Sequence, residues 1–450
     1  MKIPETPPDL NKIIEDVLKN DQDIGWRLFT DFKPTDEKGR YFHWENLKHR
    51  KPPHGFKSEE WWVGIKLSRR NLYKKTAFLD KFEKPFRFAI PDCVLKDLLW
   101  LNQSAAGSIS RDKSITSSEM RNTYLISSLI REAINSSQME GASTTYRVAK
   151  EMLLKRRPPK NNSEQMISNN YRAMEQIRDL KNQPLTESMI LELHKILTEK
   201  TLENPEDAGR FRKTDDIEVV DPRDGQLLHI PPKASQIPER IKRLCKFANE
   251  DDPNIFIPPA IKSIILHFML AYDHPFADGN GRTARALFYW SMLRNDCWMM
   301  QYISISQILK VEYGKYAKAF LHTETDDNDL TYFIIHQLSV IRKAIDALHS
   351  SLKKKVEKIV STREILEGVN RFKGRLNFRQ ISLLKHAIEN PNAIYTVKEH
   401  QNTHGTAYET ARKDLMIMAD ELNLLVKQKA GRAFIFISPE DLKTRIEKEK

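Results

Sequence analysis

The chain is 450 residues long, 40% hydrophobic and 30% charged, with 15 Gly, 22 Pro and a formal net charge of +12. That length exceeds one ordinary core, and the apolar share excludes wholesale disorder and collagen-like fibres. The most apolar stretch, 264–272, is broken by His267 and far too short to span a bilayer, so no membrane partner is expected.

The first residues carry no apolar signal core, and Cys93, Cys245 and Cys297 stand far apart without CxxC spacing. Both observations lead to the expectation of a cytoplasmic protein with reduced thiols. Residues 1–110 read as a basic, Trp-rich N-terminal region. Trp26, Trp44, Trp61 and Trp62 fall there, followed by Lys66, Arg69, Arg70, Lys74 and Lys75, and 40–75 carries a net +7. Aromatics interleaved with cations suit base stacking. Ordinary surface chemistry favours the alternative, a small Trp core under a solvated basic face.

From 111 to 350 apolar residues recur at helical spacing. Tyr124, Ile126, Leu129, Ile130 and Ile134 mark one helix, Met189 to Leu197 a second, and Ile261 to Phe268 a third. Between 210 and 232, two short apolar runs flank Asp221-Pro222-Arg223-Asp224-Gly225 and predict a β-hairpin. A charged helix over roughly 330–368, including a linker at 351–372, leads to 373–450, which carries a net +5 over 371–450. That last region predicts three helices followed by a strand–turn–strand wing. Ala411, Leu415 and Met418 would face the core, and Thr406, Tyr408, Glu409, Arg412 and Lys413 would face outward. This is the pattern of a winged helix-turn-helix, which binds DNA in some proteins and protein in others.

The chemistry concentrates in His274-Pro275-Phe276-Ala277-Asp278-Gly279-Asn280-Gly281-Arg282-Thr283-Ala284-Arg285. Proline drives the residue before it out of the α region, so a helix ends near Asp273. A new apolar helical pattern begins after Gly281. The stretch is therefore a Gly-containing turn feeding a helix N-terminus, where free N–H groups and the macrodipole favour an anion. Arg282 and Arg285, at i and i+3, add two forks that suit a polyphosphate. Asp278 beside such an anion calls for a cation between them, and Mg²⁺ fits. His274 has a pKa suited to proton transfer.

This stretch matches the pattern HPFx(D/E)GNGRxxR, and on it the chain resembles the Fic family of protein adenylyltransferases. The resemblance implies a mainly α fold: a Fic-type helical core at 111–350 with the 210–232 hairpin as its flap. To this the chain adds the N-terminal region and a C-terminal winged helix-turn-helix domain at 373–450. Gly209-Arg210 and Pro231-Pro232 are also similar to the family.

The implied reaction moves AMP from ATP, with Mg²⁺, to a Ser, Thr or Tyr hydroxyl of a target protein docked on the flap, and of the enzyme itself. In that reading His274 is the general base and Asp278 the metal ligand. Gly279, Asn280 and Gly281 form the anion hole, and Arg282 and Arg285 hold the outer phosphates. Ser136-Ser137-Gln138-Met139-Glu140-Gly141 is similar to the family's inhibitory pattern (S/T)xxxE(G/N), which makes Glu140 and Ser136 inhibitory residues and Arg285 the partner of Glu140. Glu140 at a helix C-terminus is disfavoured by about 0.3–1 kcal/mol, so a cationic partner is expected on physical grounds too. The alternatives are a relative that uses another nucleotide or removes AMP, and a DNA-binding regulator whose core only senses nucleotide. The oligomeric state stays open, with a homodimer among the options.

Overall fold

In the computed structural model, residues 2–53, 55–111, 118–221, 223–367, 374–430 and 433–447 are described. Pro222 of the hairpin turn and 368–372 of the expected linker lie outside them. The N-terminal region folds as α1 (Leu10–Asn20), α2 (Gln22–Thr30), α3 (Trp44–Leu47) and α4 (Ser58–Arg70), then the antiparallel pair β1 (Lys74–Leu79) and β2 (Pro85–Phe88). Trp44, Trp61 and Trp62 form the expected small core with Leu47 and Ile65, whereas Trp26 is 74% exposed.

The basic run is a solvated face only in part, with Arg70 and Lys75 exposed. Lys66 and Arg69 are buried, and Lys66 Nζ meets Asp326 Oδ1 at 2.8 Å. The Arg69 guanidinium lies 3.4 Å from the Tyr41 ring centroid and donates to the Tyr332 hydroxyl at 2.9 Å. Cations placed this deep need partners, and these come both from the N-terminal region, at Pro34, Tyr41 and Phe42, and from Asp326 and Tyr332 far along the chain.

The helices α5 (Asp92–Arg111), α6 (Ser118–Met139), α7 (Tyr146–Lys155), α8 (Asn162–Leu180) and α9 (Glu187–Thr198) follow. The hairpin β3 (Val219–Val220) and β4 (Leu227–His229) interrupts them as the sequence predicts, in shorter strands. Then come α10 (Ile237–Asn249), α11 (Pro259–Asp273), α12 (Asn280–Arg294), α13 (Ile305–Val311), α14 (Tyr313–Thr325) and α15 (Thr331–Glu367). In α11, 13 of 15 residues are buried. A helix apolar on every side belongs at the centre of a bundle. Around it one core takes in Phe78, Phe86, Phe88 and Val94 as well as Phe333, Leu338 and Leu348. Packing therefore does not break at the boundary near residue 110 that composition suggested.

The last unit has its own core and comprises α16 (Phe378–Glu389), β5 (Ile394–Thr396), α17 (Val397–His404), α18 (Tyr408–Met416), β6 (Val426–Ala430), β7 (Ala433–Ile437) and α19 (Leu442–Glu447). Its sheet order is β5-β7-β6, antiparallel throughout. Ala411, Leu415 and Met418 are fully buried, as their spacing requires. The α18 helix ends where Ile417–Glu421 widens into a π turn, with the Leu422 N–H on the Ile417 carbonyl at 3.0 Å. Asp414 of α18 is buried, and its Oδ2 accepts from Arg379 Nε at 2.6 Å. The unit rests on α6 and α7, with Thr123 Oγ1 3.0 Å from His404 Nδ1 and Asn402 Nδ2 donating to the Leu154 carbonyl at 2.6 Å. Among the described residues no helix is long and apolar enough to cross a membrane.

Candidate active site

The α11 helix stops at His274, whose backbone turns left-handed with φ 45° and ψ 56°. Pro275 forbids the helical alternative, and a non-glycine residue holds this conformation only where its surroundings impose it, at about 1–3 kcal/mol. The ring Nδ1–H donates to the Ala271 carbonyl at 3.1 Å, because a carbonyl can only accept. That bond fixes the tautomer and leaves Nε2 as the basic nitrogen. Burial lowers the imidazole pKa to about 4, against the opposing bond to Ala271. The ring is therefore neutral and able to take a proton at pH 7.

The loop after His274 is tied to itself. Asn280 Oδ1 accepts from the Phe276 N–H at 2.9 Å and its Nδ2 donates to the Phe276 carbonyl at 2.8 Å. The Asn280 side chain thus closes the turn. Gly279, at φ 83°, starts α12 with no side-chain cap. A Cβ there would lie 2.7 Å from Thr198 Cγ2, so glycine is required on both counts. His194 braces the same turn and carried no sequence signal beyond a histidine within apolar spacing. Its Nδ1 accepts from the Gly209 N–H at 3.0 Å, so Nε2–H must donate to the Asp278 carbonyl at 2.9 Å. The ring stacks on Phe276 with centroids 3.7 Å apart, and burial lowers its pKa to about 4.

The two motif arginines are both buried and both face protein. Arg282 donates from Nη1 to the Leu197 carbonyl at 2.9 Å and from Nη2 to Asp278 Oδ2 at 3.3 Å, while its Nε has no partner. Burial, reinforced by the charge of Arg285, lowers its pKa below the ordinary guanidinium value. Arg285 donates from Nε to Ser136 Oγ at 2.9 Å, and from Nη2 to the Ser136 carbonyl at 3.1 Å and to Glu140 Oε1 at 2.8 Å. Burial alone would lower the Arg285 pKa, yet Glu140 raises it; Arg285 in turn holds the Glu140 carboxyl below its usual range against burial.

Local geometry brings α6 into this position. Glu132, Ser136 and Glu140 recur every four residues and so share a face at the end of α6. Glu132 accepts from the Tyr289 hydroxyl of α12 at 3.0 Å and from Ser304 Oγ at 2.8 Å, which sets the height of α6 against α12. The Glu140 carboxylate ends above the first turn of α12, where a Cβ on Gly281 would strike its Oε1. An anion supplied by the chain thus lies where the field of the helix N-terminus favours one.

Asp278 is 58% exposed at its side chain, and its Oδ1 accepts from the Gly279 N–H at 2.5 Å. Among the described residues no cluster of three or more His, Cys, Asp or Glu is placed to hold a metal ion. This donor set fits a cation held mainly by phosphate oxygens and water, with one carboxylate added. Opposite the turn, the flap exposes Val220, Leu227 and Ile230. It is pinned at His229, whose Nε2–H donates to the Tyr272 carbonyl at 2.8 Å and whose Nδ1 lies 2.7 Å from Glu324 Oε2.

Residues 184–292 match the profile of the Fic/DOC family. Over 114 residues the chain is 32% identical to a protein adenylyltransferase Fic of Nematostella vectensis, covering 25% of this chain and 24% of that protein. Over 106 residues it is 34% identical to the protein adenylyltransferase fic-1 of Caenorhabditis elegans, covering 24% and 19%. The chain thus spans about a quarter or less of the length of these curated relatives. A Fic family protein from Desulfovibrio desulfuricans G20 of known structure aligns at 18% identity over 78% of this chain and 97% of that one, with a TM-score of 0.48.

Proposed function

Given the Fic domain carried by residues 184–292, we propose that the chain is a protein adenylyltransferase that moves AMP from ATP to a Ser, Thr or Tyr hydroxyl of a target protein and of itself. The observation that carries this reading is the free Nε2 of a neutral His274 beside an N-terminus lined by two buried arginines. The hydroxyl oxygen attacks the α-phosphorus in line, its proton passes to His274 Nε2, and the bond to the β-phosphate oxygen breaks to release pyrophosphate. The start of α12 stabilises the charge that spreads over the phosphate oxygens, and positioning supplies much of the rest. Mg²⁺, when bound near Asp278, would neutralise phosphate charge. The target segment docks as an added strand on the flap, where exposed Val220 and Leu227 offer side-chain contacts. Glu140 acts as a brake, because Arg285 is engaged before the nucleotide arrives.

Incubation with α-labelled ATP and Mg²⁺ tests the activity. Label is expected in the protein itself and in a target, with none from γ-labelled ATP. A folded protein that binds ATP and incorporates no α-label, even as Glu140→Gly, overturns the reading in favour of a nucleotide sensor.

The 374–447 unit reads as a winged helix used for docking, with Tyr408, Arg412 and Lys413 exposed on α18. Arg412→Ala with Lys413→Ala is expected to leave self-modification unchanged and weaken binding of a nucleic-acid or protein partner. Equal loss of self-modification would assign α18 to the catalytic half instead.

A further inference from the structure

Arg212 stands between the catalytic turn and the neck of the flap, and no motif role marks it in the sequence. Its side chain is almost wholly buried. Nε donates to the His274 carbonyl at 2.9 Å, Nη1 to the Thr214 carbonyl at 2.8 Å, and Nη2 to the Pro232 carbonyl. Its own N–H donates to the Pro275 carbonyl at 2.9 Å. The carboxylate paired with it, Asp215, is 3.5 Å away and more than half exposed, and also accepts from the Ala234 N–H at 2.6 Å. One planar fork therefore joins the entry of the flap, the exit of the flap and the turn that carries His274. A lysine, with a single nitrogen, cannot reach three carbonyls that Arg212 meets through three separate nitrogens.

Burying a cation mainly among carbonyls is costly, and burial lowers the Arg212 pKa accordingly. The strained left-handed backbone of His274 needs outside support of this kind. We propose that Arg212 is a positioning residue, which holds the His274 turn so that the imidazole faces the reacting hydroxyl, and locks that turn to both ends of the flap. The inference rests on His274 being the base of the transfer. Docking of a target on the flap and alignment of the base then depend on one side chain.

The test uses the full chain carrying Glu140→Gly, with Arg212→Met and Arg212→Lys added separately. Calorimetry reads ATP affinity, α-label incorporation reads transfer, and the transfer rate is followed against pH. For Arg212→Met, transfer is expected to fall about tenfold, short of the loss for a full 1 Å displacement because the backbone bond to Pro275 remains. ATP affinity stays within about twofold, since Arg212 touches no nucleotide-binding group.

The pH profile separates positioning from general support. His274 is faced by the Ala271 carbonyl, His229, Glu140 and Arg212, and burial holds its pKa near 4. Glu140 is absent from parent and variant alike. Removing the Arg212 cation and loosening the burial both raise the imidazole pKa toward its ordinary value of about 6.5. The acid limb of the variant therefore moves up, and activity is lost near pH 5 to 6 where the parent keeps it. Arg212→Lys recovers part of both the rate and the profile. An unchanged rate and profile overturn the proposal, as does a parallel loss of ATP affinity and thermal stability. If His274→Ala itself transfers normally, the base assignment has failed rather than the role of Arg212.

Discussion

Replacing His274 with alanine leaves ATP binding nearly intact and lowers AMP transfer by about 10²–10⁴-fold, the range a positioned proton acceptor contributes. The imidazole makes its structural bond through Nδ1 to the Ala271 carbonyl, and the proposed mechanism gives it no phosphate contact. Its loss should therefore remove proton transfer without removing a phosphate ligand. Because burial keeps the ring neutral down to about pH 4, wild-type transfer should persist into mildly acidic solution, as long as the fold does. Calorimetry for ATP and α-label incorporation for transfer check the two halves separately. A His274→Ala protein that modifies at the wild-type rate sinks the assignment of the base. One that no longer binds ATP places the histidine among the nucleotide ligands instead.

The Glu140→Gly protein is expected to transfer AMP at least tenfold faster than wild type. At present Glu140 Oε1 takes an Nη2 bond of Arg285 and lies over Gly281, where the outer phosphates of a bound nucleotide would come. ATP must then bind with its outer phosphates displaced, and an α-phosphorus about 1 Å out of line can cost on the order of 10²-fold in rate. Arg285 keeps both contacts to Ser136 in the variant, so its guanidinium stays in place and the fold changes little. Charge reversal at Arg285 should abolish transfer, since the proposed mechanism assigns the same group to both the brake and the nucleotide. The check is a comparison of initial rates at saturating ATP. A folded, ATP-binding Glu140→Gly protein no faster than wild type would leave Glu140 as an ordinary helix-end acid.

What the sequence revealed follows from how local each signal is. The turn from His274 to Arg285 was legible because its working groups are neighbours in the chain. Glu140 was legible through a second short motif and an unfavourable place at a helix end. His194 and Arg212 were not, since their partners at Asp278 and His274 lie more than 60 residues away and one polar residue inside apolar spacing has no local mark. The same distance misled the reading of charge. Lys66 and Arg69 looked solvated, yet their partners Asp326 and Tyr332 come from the loop and helix about 260 residues on. The three-residue strand β5 was too short to show alternation.

The enclosure of α11 also bears on when the fold can be completed. Phe268 at its centre packs against Phe86 of β2, with ring centroids 5.5 Å apart, and against Phe333 of α15, at 5.1 Å. These two walls are about 250 residues apart in the chain, so α11 has an unfinished side until α15 leaves the ribosome. At about 5–20 residues per second, Phe333 follows His274 by roughly 3–12 s. During that interval the catalytic turn is already synthesised but the helix that ends in it lacks its last support. A chain broken off before α15 carries every residue of the motif but lacks the Phe333 wall against which α11 packs.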